Sequence, residues 1–225
     1  MNLNGKILSL LFIAAMMLAV GCKKEDEVIT SISDAQGNSY KVVKIDRMWW
    51  MAENLKATKS KSGTTFKEID YMHFTDWNGN TACCCYYGGN SSYQYYVKMG
   101  RLYNGPAMKT NPCPDGWHVP TSKEWNAMIE FAGGANVAGG KLKSTENQNY
   151  WKDNVGASDE FGFKGLGSGY VMDDGSSSLY RLMAGYWSSD MKVYELQNSS
   201  AKIVTESGRN TNGYSIRCVK EVEKK

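Results

Sequence analysis

Proline and histidine are scarce in this chain of 225 residues, with four and two copies, and charge is nearly balanced at 26 Lys and Arg against 23 Asp and Glu. With so small an excess, and no basic run longer than a pair, the electrostatic footprint of a nucleic-acid binder is missing, so that partner is excluded. A closed zinc site needs four ligands, and His73 with the C-x-C of residues 83–85 is all that offers itself, so no metal or other cofactor is expected. No repeat period is visible. The longest apolar run, "ILSLLFIAAMMLAVG" after Lys6, is too short and one-sided for a bilayer span. What the chain does have is a 42% hydrophobic content, 23 glycines, 14 tyrosines and 7 tryptophans, enough for one domain with a core of short strands joined by irregular turns.

The apolar run behind Lys6 has the shape of a secretory signal, so residues 1–21 are expected to be removed. It ends in "LAVGC", which resembles the lipobox of bacterial lipoproteins, although Ala19 stands where leucine is usual. That resemblance implies cleavage before Cys22, lipidation of Cys22 and attachment to a membrane through several acyl chains. Residues 22–33 open with the charged, coreless "CKKEDE" and read as a flexible tether. Lys24, Glu25 and Asp26 resemble the export signal that carries Bacteroidetes lipoproteins to the outer cell surface. A lipid-anchored position on the bacterial outer membrane is the address these features imply, with the domain displayed at the cell surface or, as the alternative, facing the periplasm.

The folded domain is expected over residues 34–222. Turn residues "DAQGN" precede "SYKVVKI" and "MWWM", two strands joined through Asp46 and Arg47 in a hairpin that lacks the usual turn glycine. In a regular strand Trp49 and Trp50 face opposite ways, so one of them is expected in the core. Residues 56–100 read as loops. Thr121 and Glu124 form a capping box, and Trp125, Met128, Ile129 and Ala132 fall at i, i+3, i+4 and i+7 before Gly133 and Gly134. A helix near 122–132 follows, and the remainder reads as helix-free short strands, an α+β fold dominated by antiparallel pairs.

The segments "WWMAENL", "GRLYN", "CPDGWHVPTSKEW", "KLKST", "DEFGFKGLGSGY", "YWSS" and "GYSIRCVKE", in this order, resemble the Fibrobacter succinogenes major paralogous domain over roughly residues 34 to 220. "WHVPTSKEW" with the late "GYSIRCV" is also similar to the formylglycine-generating sulfatase-modifying family. Both resemblances imply a C-type-lectin-like fold. The oxidase chemistry of the second family needs a cysteine pair that does not map onto this chain, so no activity comes with it.

Beyond Cys22, five cysteines remain, Cys83, Cys84, Cys85, Cys113 and Cys218, and an odd number cannot all pair. The lectin-like resemblance implies a bridge between Cys113 and Cys218. Such a bridge would deprive His118 of the thiolate it would need to form a nucleophilic pair with Cys113. In a strand, Cys83 and Cys85 share a face and Cys84 points away. Asp76, Asn78 and Asn80 have the spacing of a calcium-loop start, but Thr81 stands where glycine is wanted and Tyr87 where the bidentate glutamate belongs. No catalytic residue is assigned. The leading reading is a non-enzymatic binding module for a glycan or a surface protein, with Tyr86, Tyr87, Tyr93, Tyr95 and Tyr96 as candidate contacts. Two alternatives stand beside it: an envelope enzyme or metal-dependent protein using His118 or the Cys83 to Cys85 cluster, and a structural component of a surface assembly.

Overall fold

The computed structural model describes residues 28–146 and 148–223. The expected signal peptide, the expected lipidation site Cys22 and the start of the expected tether lie outside the described residues. Along the chain run β1 (Ser31–Ser33), β2 (Ser39–Ile45), β3 (Met48–Met51), β4 (Lys67–Glu68), β5 (Cys83–Cys85), α1 (Gln94–Lys98), β6 (Leu102–Tyr103), α2 (Gly105–Lys109), α3 (Ser122–Phe131) and α4 (Ala138–Leu142). There follow β7 (Tyr170–Val171), β8 (Ser177–Ser178), β9 (Met183–Trp187), β10 (Lys192–Gln197), β11 (Ile203–Ser207) and β12 (Val219–Glu221). The class is α+β. No helix among the described residues is long and apolar enough to cross a membrane.

Four small sheets carry the fold, in the orders β1-β2-β3-β12, β11-β10-β9, β4-β5-β6 and β7-β8. Every named strand pair is antiparallel except β4 with β5. The hairpin read at Asp46 and Arg47 is present, with Ile45 opposite Met48 and Asp46 in the left-handed region at φ 53° in place of a glycine. β1 falls inside the stretch read as tether and pairs with β2 from Ser31 to Ser33. Its alternation is too short to register as a strand before the partner is known.

Both tryptophans of β3 are buried, not one. Trp49 packs with Tyr40, Val42, Met51, Trp117, Trp187 and the Cys113–Cys218 pair. Trp50 packs on the other side with Ile45, Trp125, Phe163 and Tyr186. The central sheet is therefore covered on both faces, and strict alternation sends a tryptophan into each core. Burying side chains of this size contributes about 2 to 3 kcal/mol apiece. Trp125 of α3 anchors the second core, its ring 4.8 Å from that of Trp50 and stacked on Tyr194 at 4.9 Å.

The α3 boundaries and its capping box agree with the sequence. Three further short helices do not. α1 interrupts the region read as loops, α2 follows Asn104, whose side chain accepts from the Ala107 N–H, and α4 lies in the half read as helix-free. α4 consists of "AGGKL", a poor intrinsic helix former. The glycines serve contact instead: a Cβ on Gly139 would come within 2.3 Å of the Lys202 carbonyl oxygen, and one on Gly140 within 2.2 Å of that of Gly156.

The stretch Gly213–Val219 sews the sheets together through single bridges. Gly213 exchanges backbone bonds with Val171, Tyr214 with Tyr103 and Val219 with His118. The Ser215 carbonyl accepts from Trp187 and the Cys218 carbonyl from Met51. Arg217 in this seam is fully buried. Its Nε donates to Asn54 Oδ1 at 2.7 Å, its Nη2 to the Lys164 carbonyl at 2.9 Å, and its Nη1 to the carbonyls of Met51 and Phe163. The guanidinium lies 4.2 Å from the Phe163 ring centroid. Five donors in a planar fork suit one cation to many carbonyls. Lys143 does the same on a smaller scale, bonding the carbonyls of Val155, Gln197 and Ser200.

Candidate functional site

The most reactive-looking stretch of the sequence is committed to structure. Cys113 and Cys218 form a disulfide with Cα atoms 5.8 Å apart, joining the segment before α3 to the seam that leads into β12. A bridged sulfur has no thiolate to attack with. His118, read as its partner in a nucleophilic pair, bonds β12 through its backbone and holds its Nε2 2.8 Å from Glu124 Oε1. Glu124 is the capping-box carboxylate of α3, and its Oε2 accepts from the backbone N–H and the hydroxyl of Thr121. The hydrogen bond to Glu124 raises the imidazole pKa against the effect of burial. For Glu124, burial pushes upward, but His118 and Thr121 outweigh it and hold the carboxyl below its ordinary range.

Cys83, Cys84 and Cys85 are buried and free. Their faces alternate as the strand demands: Cys84 joins the core around the disulfide, whereas Cys83 and Cys85 pack with Ile69, Trp77, Leu102 and Val171. Burial pushes the Cys84 thiol up to about 12, against the pull of Arg101, and raises Cys83 and Cys85 as well. At neutral pH these groups are apolar fillers, not nucleophiles. Among the described residues no group of three or more His, Cys, Asp or Glu is placed to hold a metal ion. Asp76 pairs with Lys67 at 3.0 Å, and Asn78 Oδ1 closes a turn on the N–H groups of Asn80 and Thr81.

The tyrosines behave differently. Tyr93 stands at the position just before α1 and sits one turn from Tyr96, their ring centroids 4.6 Å apart in a T-shaped contact. Tyr95 lies 5.4 Å from Tyr93, and Tyr87 lies 5.2 Å from Tyr96. Two residues the sequence reading missed complete the group. Tyr180 lies 5.1 Å from both Tyr87 and Tyr96, and Tyr150 lies 5.8 Å from Tyr95. Isolated in sequence, they arrive from the β8–β9 turn and from the 3-10 turn Gln148–Tyr150, so no linear signal marks them. Gly169 admits the group: at φ 63°, a Cβ there would sit 2.7 Å from the Tyr87 ring and 2.3 Å from the Ser178 carbonyl oxygen.

Tyr86 departs from its neighbours. Its ring lies under the Arg101 guanidinium at 4.3 Å, while Gly88 and Gly89, both at positive φ, turn Tyr87 toward α1. The remaining six tyrosines are partly exposed, with Tyr93 at 43%. Burial, aided by Tyr93 and Tyr96, pushes the Tyr180 hydroxyl up to about 12, so it stays protonated at neutral pH. The result is a contiguous aromatic surface with polar hydroxyl tips, flat apolar area and low rotamer entropy, features suited to contact.

These observations define a disulfide-braced α+β domain whose cysteines and His118 are occupied structurally and whose half-exposed rings gather on one face. Residues 43–220 match the model of the Fibrobacter succinogenes major domain, and the chain belongs to that family. The description of that family names no activity. Neither a curated protein nor a solved structure matches the chain.

Proposed function

We propose that the protein is an outer-membrane lipoprotein, anchored through Cys22 and displayed at the cell surface, whose lectin-like domain is a non-enzymatic binding module. The observation that carries the reading is the gathering of Tyr87, Tyr93, Tyr95, Tyr96, Tyr150 and Tyr180 from separate segments onto one partly exposed surface. The lipobox-like "LAVGC" and the charged residues after it support the address. The ordered family motifs, with a bridge from the segment before α3 to the end of the domain, support the lectin-like description. An apolar cleft of about 200 Å³ is lined by Gly88 and Gly89, which follow Tyr87 in the chain, and by Tyr71 and Phe74, which are 68% and 45% exposed.

Two measurements test the reading. Metabolic labelling with a fatty-acid analogue, combined with protease treatment of intact cells, checks the address: label is lost in Cys22→Ser and the wild-type domain is cleaved from outside. Retention of the purified chain on fractionated surface polysaccharide and surface protein checks the role. A fraction that retains wild type and releases Tyr93→Ser/Tyr96→Ser is expected; equal retention of both proteins on every fraction refutes the assignment.

A further inference from the structure

We propose that Asn78 is a self-modification site of the folded protein, its side-chain amide cyclising onto the backbone nitrogen of Gly79 to leave aspartate or isoaspartate in the turn that leads into β5. The site is independent of what the tyrosine surface binds. Among the described residues Asn precedes Gly three times, at 78–79, 104–105 and 212–213. Glycine favours such ring closure because no Cβ hinders the approach of its nitrogen, so by sequence the three pairs rank alike. Their hydrogen bonds set them apart.

Two of the pairs are protected. Gly105 donates its N–H to the Asn210 carbonyl at 3.0 Å and Gly213 donates to that of Val171 at 2.9 Å, so both nitrogens are occupied. Asn104 is also fully buried with its amide saturated: Oδ1 accepts from the N–H groups of Cys83 and Ala107, and Nδ2 donates to the carbonyls of Asn78 and Thr81. Asn212 is held through Nδ2 by the Tyr214 hydroxyl at 3.2 Å. The Gly79 N–H, by contrast, has no hydrogen-bond partner among the described residues. Asn78 and Gly79 are both half-buried, within reach of water. Asn78 Oδ1 meanwhile accepts from the N–H groups of Asn80 and Thr81, each at 2.9 Å. Two donors on that oxygen draw electrons from Cγ and would stabilise the negative charge that develops there during attack, as an oxyanion hole does.

The reaction consumes only water. Hydroxide takes the Gly79 amide proton, the nitrogen bonds to Asn78 Cγ, and the Cγ–Nδ2 bond breaks to release ammonia, which takes its added proton from solvent. Water then opens the cyclic imide at either carbonyl. One water enters for the ring opening and one ammonia leaves, with no change of oxidation state. Opening at the main-chain carbonyl gives isoaspartate and lengthens the backbone by one carbon. The turn would register that change, because Asn104 Nδ2 holds the carbonyls of Asn78 and Thr81, each at 2.7 Å. Glycine at 79 is not demanded by the backbone: its φ lies outside the left-handed region, and a Cβ there would meet nothing nearer than the Thr211 methyl at 3.0 Å. At Gly105 a Cβ would fall 2.6 Å from Asn210 Oδ1, and at Gly213 2.5 Å from the Trp77 ring.

The test holds the full-length protein in mildly alkaline buffer with detergent, one portion folded and one in urea, and follows the three Asn-Gly peptides by mass spectrometry. Methyl transfer by an isoaspartyl methyltransferase marks the isoaspartate fraction. In the folded portion Asn78 should convert ahead of Asn104 and Asn212, which react once urea frees their glycine nitrogens. Gly79→Ala should lose the conversion at Asn78 while keeping the wild-type melting temperature. If Asn78 converts no faster than Asn104 and Asn212 in the folded protein, the site is overturned. Conversion at Asn78 that persists unchanged in Gly79→Ala overturns the ring closure. Should that variant melt lower, the comparison of the three wild-type peptides still decides.

Discussion

His118 Nε2 lies 2.8 Å from Glu124 Oε1, so the imidazole that looked like half of a catalytic pair instead completes the cap of α3. The contact ties the helix entrance to β12, because the His118 backbone bonds Val219 in both directions.

A pH window follows from the two shifts. The His118 pKa is raised from 6.5 by its hydrogen bond to Glu124, so its contribution is full below 6.5 and lost as pH rises through the higher folded value. Glu124 is held below 4.5 despite burial, so its contribution is present above 4.5 and lost as pH falls through the lower folded value. Melting curves of wild type and His118→Gln should differ most between these two ordinary values and converge toward alkaline pH. His118 is partly exposed, so the difference is modest.

Removing the bridge should cost far more. The Cys113–Cys218 disulfide spans a sequence separation of 105 residues. Closing a loop of that length contributes about 4 to 5 kcal/mol in the chain-entropy model. For a domain of this size Cys113→Ala/Cys218→Ala should melt about 10 to 20 °C lower. A loss of only a degree or two would show that the unfolded chain is already constrained.

The neighbouring thiols should be silent in the folded state. Burial raises all three of Cys83, Cys84 and Cys85, so iodoacetamide at pH 7.5 should leave them unmodified until denaturant is added. Peptide mass spectrometry reads the result directly. Rapid native labelling of any of them would reopen the enzymatic alternative.

Arg217 is the polar pillar of the seam. Arg217→Met keeps most of the volume but strands Asn54 Oδ1 and the carbonyls of Met51, Phe163 and Lys164. Urea unfolding should show a loss of about 3 to 5 kcal/mol, since each abandoned buried acceptor costs about 1 to 3 kcal/mol before relaxation. Arg217→Lys should recover only part of it, because one ammonium cannot reach acceptors spread around a planar fork.

The legible parts of this fold were those written in local chemistry. Thr121, Glu124 and the Trp125–Ala132 spacing specify α3 almost residue by residue, and the alternation in β2 and β3 specifies the hairpin. α4 was illegible because its "AGGKL" is helical for reasons of close approach to Lys202 and Gly156, not of propensity. The second buried tryptophan was missed because a four-residue strand does not reveal that both of its faces are covered. Four of the five candidate tyrosines do share a surface, since two turns of backbone bring them there. Tyr86 lies apart from them against Arg101, and Tyr150 and Tyr180 join them from segments distant in sequence, so no local signal marks those places.

The most direct test of the tyrosine surface is oxidative footprinting of the full-length protein with and without the surface fraction that retains it. The account predicts protection of Tyr93, Tyr95 and Tyr150, with exposed Phe131 of α3, whose ring meets Phe161, labelled equally in both states. Unchanged labelling of the three tyrosines, or protection confined to Phe131, would contradict it.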